Sequence, residues 1–121
     1  NRSYMALADS LREPLNGKHE LRLTFAADSL PPCEGFWSLT AYGMDLYLVE
    51  NEIDRFSIGD RTPDLHYEED GSLTIILSAQ RPEQVSNWLP VPHGPYMLGM
   101  RVYEGHSSVV ECNWFPPPLA R

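Results

Sequence analysis

The chain has 121 residues, a formal net charge of −8 and an apolar fraction of 42%. This length predicts one domain with its own core, and the apolar fraction excludes a disordered chain. The nine Lys and Arg residues are scattered singly, which argues against binding to nucleic acid or to an anionic membrane surface, since both need a basic stripe. No apolar run approaches the ~20 residues of a membrane span. The compartment is left open, because removal of a leader before Asn1 is compatible with the sequence.

Eleven prolines and eight glycines interrupt the chain, so short β-strands are favoured over helices. His19–Phe25 alternates apolar and polar residues, which predicts a strand with one buried face. Phe36–Tyr42 has aromatic residues on both faces and is predicted to be buried on both. A turn at Gly43-Met44-Asp45 is predicted to lead into a hairpin. The strands predicted in this half are Tyr4–Ala8, His19–Phe25, Phe36–Tyr42 and Leu46–Val49.

The second half continues the β pattern. Asp70-Gly71 is a strong hairpin signal between the segments Leu65–Glu68 and Ser72–Ala79, whereas Asn51–Asp60 is more irregular. The further strands predicted are Tyr96–Tyr103, with alternating apolar residues, and Ser108–Phe115, which Pro116 ends. About eight short antiparallel strands predict a single β-sandwich or jelly-roll domain over residues 1–121.

The segment Ser86–Pro95 carries Asn87 and Trp88 among three prolines. Its proline content excludes a helix or a central strand. A stiff, aromatic-bearing loop of this kind is either a plug over one end of the core or a wall of a binding site, and both alternatives stay open.

Cysteine and histidine patterns give no metal or cofactor signal. Cys33 and Cys112 lie far apart in the sequence, which favours two free thiols, with a disulfide as the alternative in a secreted protein. The four histidines His19, His66, His93 and His106 have no metal-ligand spacing. We therefore predict no metal and no cofactor.

Five segments in the same order resemble one known family. They include the sequence GFWSLTAY at Gly35–Tyr42 and the sequence SNWLP at Ser86–Pro90, which Gly94-Pro95-Tyr96 follows. The other three are Asp54–Pro63, Asp70–Ile75, and Arg101–Tyr103 with Trp114–Pro117. These segments resemble the domain-of-unknown-function family 1214 over nearly the whole chain.

The resemblance implies a jelly-roll β-sandwich that is often the C-terminal half of a larger protein with a second β domain. It also implies a bacterial origin and leans toward an exported or periplasmic location, but it implies no activity. Two positions depart from the family pattern. Asp54 stands where Asn is usual, and Glu104-Gly105-His106 replaces a segment that typically contains proline.

Arg55 and Arg61 are the first candidate ligand-binding residues. Two arginines close together can hold a carboxylate or phosphate by paired hydrogen bonds, and Ser57 and Asp60 belong to the same polar segment. The favoured alternative is structural. In that interpretation the arginines pair with neighbouring aspartates or with backbone carbonyls and hold an irregular loop.

Asn87, Trp88 and His93 are the second group of candidates. An amide beside a large ring suits a small-molecule or carbohydrate ligand, whereas the alternative is that Trp88 covers the sandwich and Asn87 satisfies backbone groups of the loop. The acidic run Glu68-Glu69-Asp70 precedes Gly71 in a turn, so we interpret it as solvent-exposed.

No nucleophile elbow or Ser-x-x-Lys motif is present, so no catalytic residue is assigned. The sequence predicts a β-sandwich module for ligand recognition or for assembly with a second β domain or another copy. The alternative is an enzyme of undefined class. Its pocket would lie between the Asp54–Arg61 segment and the Asn87–Pro95 loop, with Asp60 or His93 as acid or base.

Overall fold

The structure is a computed structural model. It describes residues 2–6, 13–27, 37–45, 51, 53, 55–83, 85–102, 117, 119 and 120. Among them are seven strands: β1 Arg2–Ala6, β2 Leu21–Phe25, β3 Trp37–Gly43, β4 Ser57–Gly59, β5 Leu73–Ser78, β6 Trp88–Pro90 and β7 Tyr96–Val102. Within the described ranges, no helix has the length and apolarity that crossing a membrane requires.

The strands form two sheets. One has the order β1-β7-β3-β4 and is antiparallel throughout, and the other has the order β2-β5-β6. In the smaller sheet β2 and β5 are antiparallel, while β5 and β6 are parallel. The predicted all-β sandwich is therefore confirmed, and the jelly-roll connectivity stays a prediction.

The core lies between the sheets and is built by alternation. In β2 the side chains of Leu21, Leu23 and Phe25 are buried while the two between them are exposed, as the sequence pattern predicts. The Phe25 ring meets the Trp37 ring of the other sheet at a centroid distance of 5.5 Å. Each such buried large side chain contributes about 1.5–3 kcal/mol, so this contact helps to hold the two sheets together.

The prediction that the Phe36–Tyr42 segment is buried on both faces is wrong for β3. Its burial alternates, with Trp37, Leu39 and Ala41 in the core and Ser38, Thr40 and Tyr42 only half-buried. The reason is that the two described aromatic side chains serve different faces. Trp37 joins the core, whereas Tyr42 lies across the outer face of the four-stranded sheet.

The prediction of a loop over Ser86–Pro95 is wrong at β6, which lies inside this segment, although β6 is an edge strand and the exclusion of a central strand is confirmed. Leu89 pairs with the core residue Leu77, so Trp88, paired with Ile76, lies on the opposite side of the small sheet. Trp88 is nonetheless buried. Pro82 lines a groove together with Ile76, so the connection from β5 to β6 passes over this outer face.

A turn forms at Asp70-Gly71, but the hairpin predicted there is wrong, because Leu65–Glu68 forms no strand and β5 pairs with β2 and β6 instead. Gly71 has φ +89°, a conformation that favours glycine, and its N–H donates to the carbonyl of Glu68 at 2.9 Å. The Ser72 N–H donates to Asp70 Oδ1 at 2.9 Å. The predicted strands Leu46–Val49 and Ser108–Phe115 and both cysteines lie outside the described residues.

Candidate functional site

The backbone around Arg55 is fixed by one side chain. Asn51 accepts a hydrogen bond from the Arg55 N–H at 2.9 Å through Oδ1, and its Nδ2 donates to the Arg55 carbonyl at 2.7 Å. Oδ1 also accepts from the N–H of Ile53 at 3.3 Å. This local network gives the irregular segment before β4 a defined shape, so the arginine side chain leaves it in a set direction.

The Arg55 guanidinium joins this segment to the start of β6. Its Nη1 donates to the carbonyls of Val85, Ser86 and Trp88 at 3.0, 3.0 and 2.9 Å. The side chain thus reaches backbone carbonyls, which is one of the structural alternatives that the sequence left open. In the described part of the chain, Nε and Nη2 of Arg55 have no hydrogen-bond partner.

A groove of about 520 Å³ lies beside this arginine, between the segment around β4 and the first residues of β3. Arg55, Ser57 and Arg61, three of the predicted ligand-binding residues, all line it. Both charged residues in the described lining are arginines. We call this the arginine groove, and its described lining is Trp37, Ser38, Ile53, Arg55, Phe56, Ser57, Gly59, Arg61, Thr62 and Pro63.

The turn after β4 carries Arg61 to the groove. The Gly59 N–H donates to Thr62 Oγ1 at 2.9 Å, and the Thr62 N–H donates back to the Gly59 carbonyl at 3.0 Å. Asp60 Oδ1 accepts the N–H of Trp37 at 3.2 Å and so ties the turn to β3.

Burial, with a smaller contribution from the Asp60 carboxylate, raises the pKa of Tyr67 above 10.0.

Asn87 is buried and uses its amide within the fold. Its Oδ1 accepts the N–H of His66 at 2.8 Å. Its Nδ2 donates to the carbonyls of His66 and Thr74 at 2.7 and 2.9 Å. Asn87 also lines a second groove of about 430 Å³, on the outer face of the small sheet, which Glu20, Glu68 and other residues share.

The other two candidates are not in the described lining of the arginine groove, although the Trp88 carbonyl accepts a hydrogen bond from Arg55. Trp88 is 1% exposed and donates from Nε1 to the Ser78 carbonyl at 2.9 Å. His93 is exposed, next to Gly94, whose carbonyl accepts the Gly17 N–H at 3.0 Å. No residue of the Asn87–Pro95 loop is in the described lining of the arginine groove.

The outer face of the four-stranded sheet is a second surface that the sequence analysis missed. Met5 pairs with Gly99, and Tyr42 pairs with Met97. A Cβ at Gly99 would meet the Tyr42 ring at 3.2 Å and Met5 Sδ at 3.3 Å, so these side chains meet above the glycine. Met44 follows β3 at this end of the sheet. We call Met5, Tyr42, Met97 and Gly99, together with Met44 in the adjoining turn, the methionine face.

The methionine face is apolar and accessible. Met5 is 60% exposed and Met44 is 59% exposed, the largest values among the exposed large apolar side chains of the described residues. The signal that could have revealed this face is the alternation in β3, which puts Tyr42 on the side opposite to Trp37. The groups of His, Cys, Asp and Glu within the described ranges include none that could hold a metal ion.

Two packed sheets with these surfaces define a small all-β sandwich domain. The chain belongs to the family described as "Protein of unknown function (DUF1214)", whose model matches residues 1–107. The family resemblance of the sequence motifs is thereby confirmed. A search of curated proteins finds no match.

Solved structures that are similar to the chain include the following two proteins. The VPA0106 protein from Vibrio parahaemolyticus is 30% identical, with a TM-score of 0.86 over 98% of this chain and 29% of that one. An uncharacterised protein from Burkholderia cenocepacia is 17% identical, with a TM-score of 0.58 over 86% of this chain and 26% of that one, and shares the fold. The chain therefore spans less than a third of the length of either structure.

Proposed function

We propose that this domain is an assembly module that docks a companion domain of the same polypeptide onto its methionine face. The observation that carries the proposal is the exposed apolar cluster on the outer face of the four-stranded sheet. Exposed apolar clusters of this kind mark contact surfaces more often than isolated apolar residues do.

The residue types on this face suit sheet packing. Gly99 has no side chain, so the centre of the face does not protrude. The methionines around it are flexible enough to adapt to a partner surface. The neighbouring outward residues of β3, Ser38 and Thr40, are small, and Arg101 of β7, which pairs with Ser38, is the exposed charged residue at the far end of this face. A second layer can therefore approach closely, at the spacing of about 10 Å that stacked sheets adopt.

The length comparison supports a partner within the same polypeptide. The similar protein from Vibrio parahaemolyticus is more than three times as long as the part that this chain matches, since the match covers 29% of it. A sandwich embedded in a longer chain has neighbours at high effective concentration, so even a modest apolar face suffices for stable docking.

Methionine oxidation tests the proposal, because the chain contains four methionines and accessible thioethers oxidise faster than buried ones. We would treat residues 1–121 and the full polypeptide from the same gene with hydrogen peroxide and follow each methionine by peptide mass spectrometry. Met5 and Met44 should oxidise rapidly in residues 1–121 and much more slowly in the full polypeptide. Met100, which is 3% exposed, is the internal control and should oxidise slowly in both.

Equal oxidation rates of Met5 and Met44 in the two proteins would overturn the proposal, as would a gene that encodes no further domain. If Met5 and Met44 oxidise slowly already in residues 1–121, and more slowly as the protein concentration rises, the partner on this face is a second copy of this chain and not a companion domain.

A further inference from the structure

The geometry of the arginine groove points to a binding site for a small organic carboxylate with an apolar body. This inference concerns the edge of the four-stranded sheet at β4. The methionine face centres on β1 and β7, at the other side of the sheet order. It does not depend on the proposed docking function.

Arg55 is prepared for a carboxylate before any ligand arrives. Three backbone carbonyls hold Nη1, at 2.9–3.0 Å, which fixes the plane of the guanidinium. Nε and Nη2, which form the side of the guanidinium that pairs with both oxygens of a carboxylate, have no partner in the described part of the chain. A planar fork held in place loses little side-chain entropy on forming two parallel hydrogen bonds.

The charge of the groove favours an anion, although the whole chain is acidic. Arg55 and Arg61 are the charged residues of its described lining, in a chain whose net charge is −8, and the nearby Asp60 carboxylate accepts the N–H of Trp37. The hydroxyl groups of Ser38 and Ser57 are further hydrogen-bond donors at the same surface. Arg61 is exposed, so it adds attraction at the mouth of the groove, whereas Arg55 sets the orientation.

The rest of the lining selects an organic anion over an inorganic one. Phe56 is 37% exposed, and Ile53 and Pro63 lie in the same lining. The groove volume of about 520 Å³ falls in the range of small-molecule sites. A carboxylate with a ring or branched alkyl group would use both the fork and these apolar side chains, while phosphate would leave the apolar side chains bare.

Calorimetric titration with benzoate tests this inference, with benzamide as the neutral probe of the same shape and acetate as the anion without a ring. Benzoate should bind, acetate should bind at least tenfold more weakly, and benzamide should give no saturable signal. Arg61→Gln should weaken benzoate binding about fivefold. Arg81→Gln, which removes an exposed arginine outside the described groove lining, should leave it unchanged.

Arg55→Lys removes the fork but keeps the charge, and it should abolish benzoate binding. Because Arg55 also holds backbone carbonyls, a cooperative thermal unfolding transition must first show that this variant is folded. Phe56→Ala leaves those hydrogen bonds intact and should weaken benzoate binding about threefold to tenfold without affecting acetate.

Three results would overturn the inference. They are equal binding of benzoate and benzamide, unchanged benzoate binding by both Arg61→Gln and Phe56→Ala, and no benzoate binding at all by the folded wild-type chain. If phosphate binds as tightly as benzoate and depends equally on Arg61, the ligand of the groove is an inorganic anion and not an organic carboxylate.

Discussion

Asn87 shows how a single buried amide can hold in place a segment that forms no strand. Its three hydrogen bonds satisfy both backbone groups of His66 and the carbonyl of Thr74, so the segment before β5 is held against β5 without forming a strand of its own. A short polar side chain that bonds to backbone groups in this way takes the place of a strand ladder.

We predict that Asn87→Ala lowers the free energy of unfolding by about 3 kcal/mol, because it leaves buried backbone groups without partners. Urea denaturation followed by tryptophan fluorescence measures the change. Gln80→Ala, at an exposed position, is the control and should change stability by less than ~0.5 kcal/mol. A small effect of Asn87→Ala would mean that water replaces the amide at this position.

Asp70 gives a prediction about pH. Hydrogen bonds from the Ser72 side chain and from the Ser72 backbone N–H lower the pKa of Asp70 below its usual 3.8. Since the folded carboxyl has the lower pKa, its ionised form stabilises the turn before β5 above pH 3.8. This contribution is lost as the pH falls through the folded value.

We expect Ser72→Ala to move the pKa of Asp70 up toward 3.8, because the first of these hydrogen bonds is removed while the second stays. Carbon NMR of the Asp70 carboxyl over an acid titration measures both values. Ser57→Ala, at an exposed serine of another strand, should leave the Asp70 titration unchanged. An unshifted titration in Ser72→Ala would assign the whole effect to the backbone N–H.

Among the elements, the strands with clear alternation are those that the sequence predicts well. In β2 and β7 every second residue is a large apolar one, and a one-residue slip would expose the whole set, so pattern and register agree. β3 was assigned the wrong burial, because an aromatic residue on the outer face looks the same in the sequence as one in the core. The pairing of Tyr42 with Met97, which brings the Tyr42 ring close to Gly99, places this ring on the outer face.

The pairing of β3 with β4 depends on one close approach. An ideal Cβ at Gly59 would lie 2.2 Å from the Trp37 carbonyl oxygen, far inside contact distance, and the atom it meets belongs to the backbone. Any side chain at this position must therefore push β4 away from β3. The same strand pair forms one wall of the arginine groove, so its spacing also sets the shape of the groove.

Gly59→Ala should destabilise the domain by about 2 kcal/mol, in the range typical of overpacking, and should weaken benzoate binding. Thermal unfolding and calorimetry measure the two effects. Gly94→Ala is the matched control, since a Cβ there meets nothing within 4 Å, and it should be nearly neutral. A stable Gly59→Ala variant that binds benzoate normally would show that β4 shifts without cost.

At the scale of the whole molecule, Arg55 connects the two sheets. Its backbone precedes β4 of the larger sheet, and its guanidinium holds carbonyls at the start of β6 in the smaller one. The sequence could nominate Arg55, Ser57 and Arg61 together because they are near neighbours in the chain. It could not locate their groove against β3, since that contact depends on sheet order and not on any local pattern.

The methionine face and the arginine groove lie toward opposite edges of the same sheet, so they should respond to different substitutions. Met44 is 59% exposed, and replacing an exposed side chain rarely changes stability by more than ~0.5 kcal/mol. In a docked assembly the same position is covered, and a charge placed there loses its hydration. The effect of a lysine at this position therefore depends on whether a companion domain is present.

We predict that Met44→Lys leaves the thermal unfolding of residues 1–121 and their benzoate binding unchanged. In the full polypeptide the same substitution should lower the unfolding temperature or separate one transition into two, because the docked face then buries an unpaired ammonium group. Differential scanning calorimetry of both proteins measures this difference, with Glu69→Lys, in the exposed turn before β5, as the control. Identical behaviour of Met44→Lys in the two proteins would contradict docking on this face and would leave the arginine groove as the remaining functional surface.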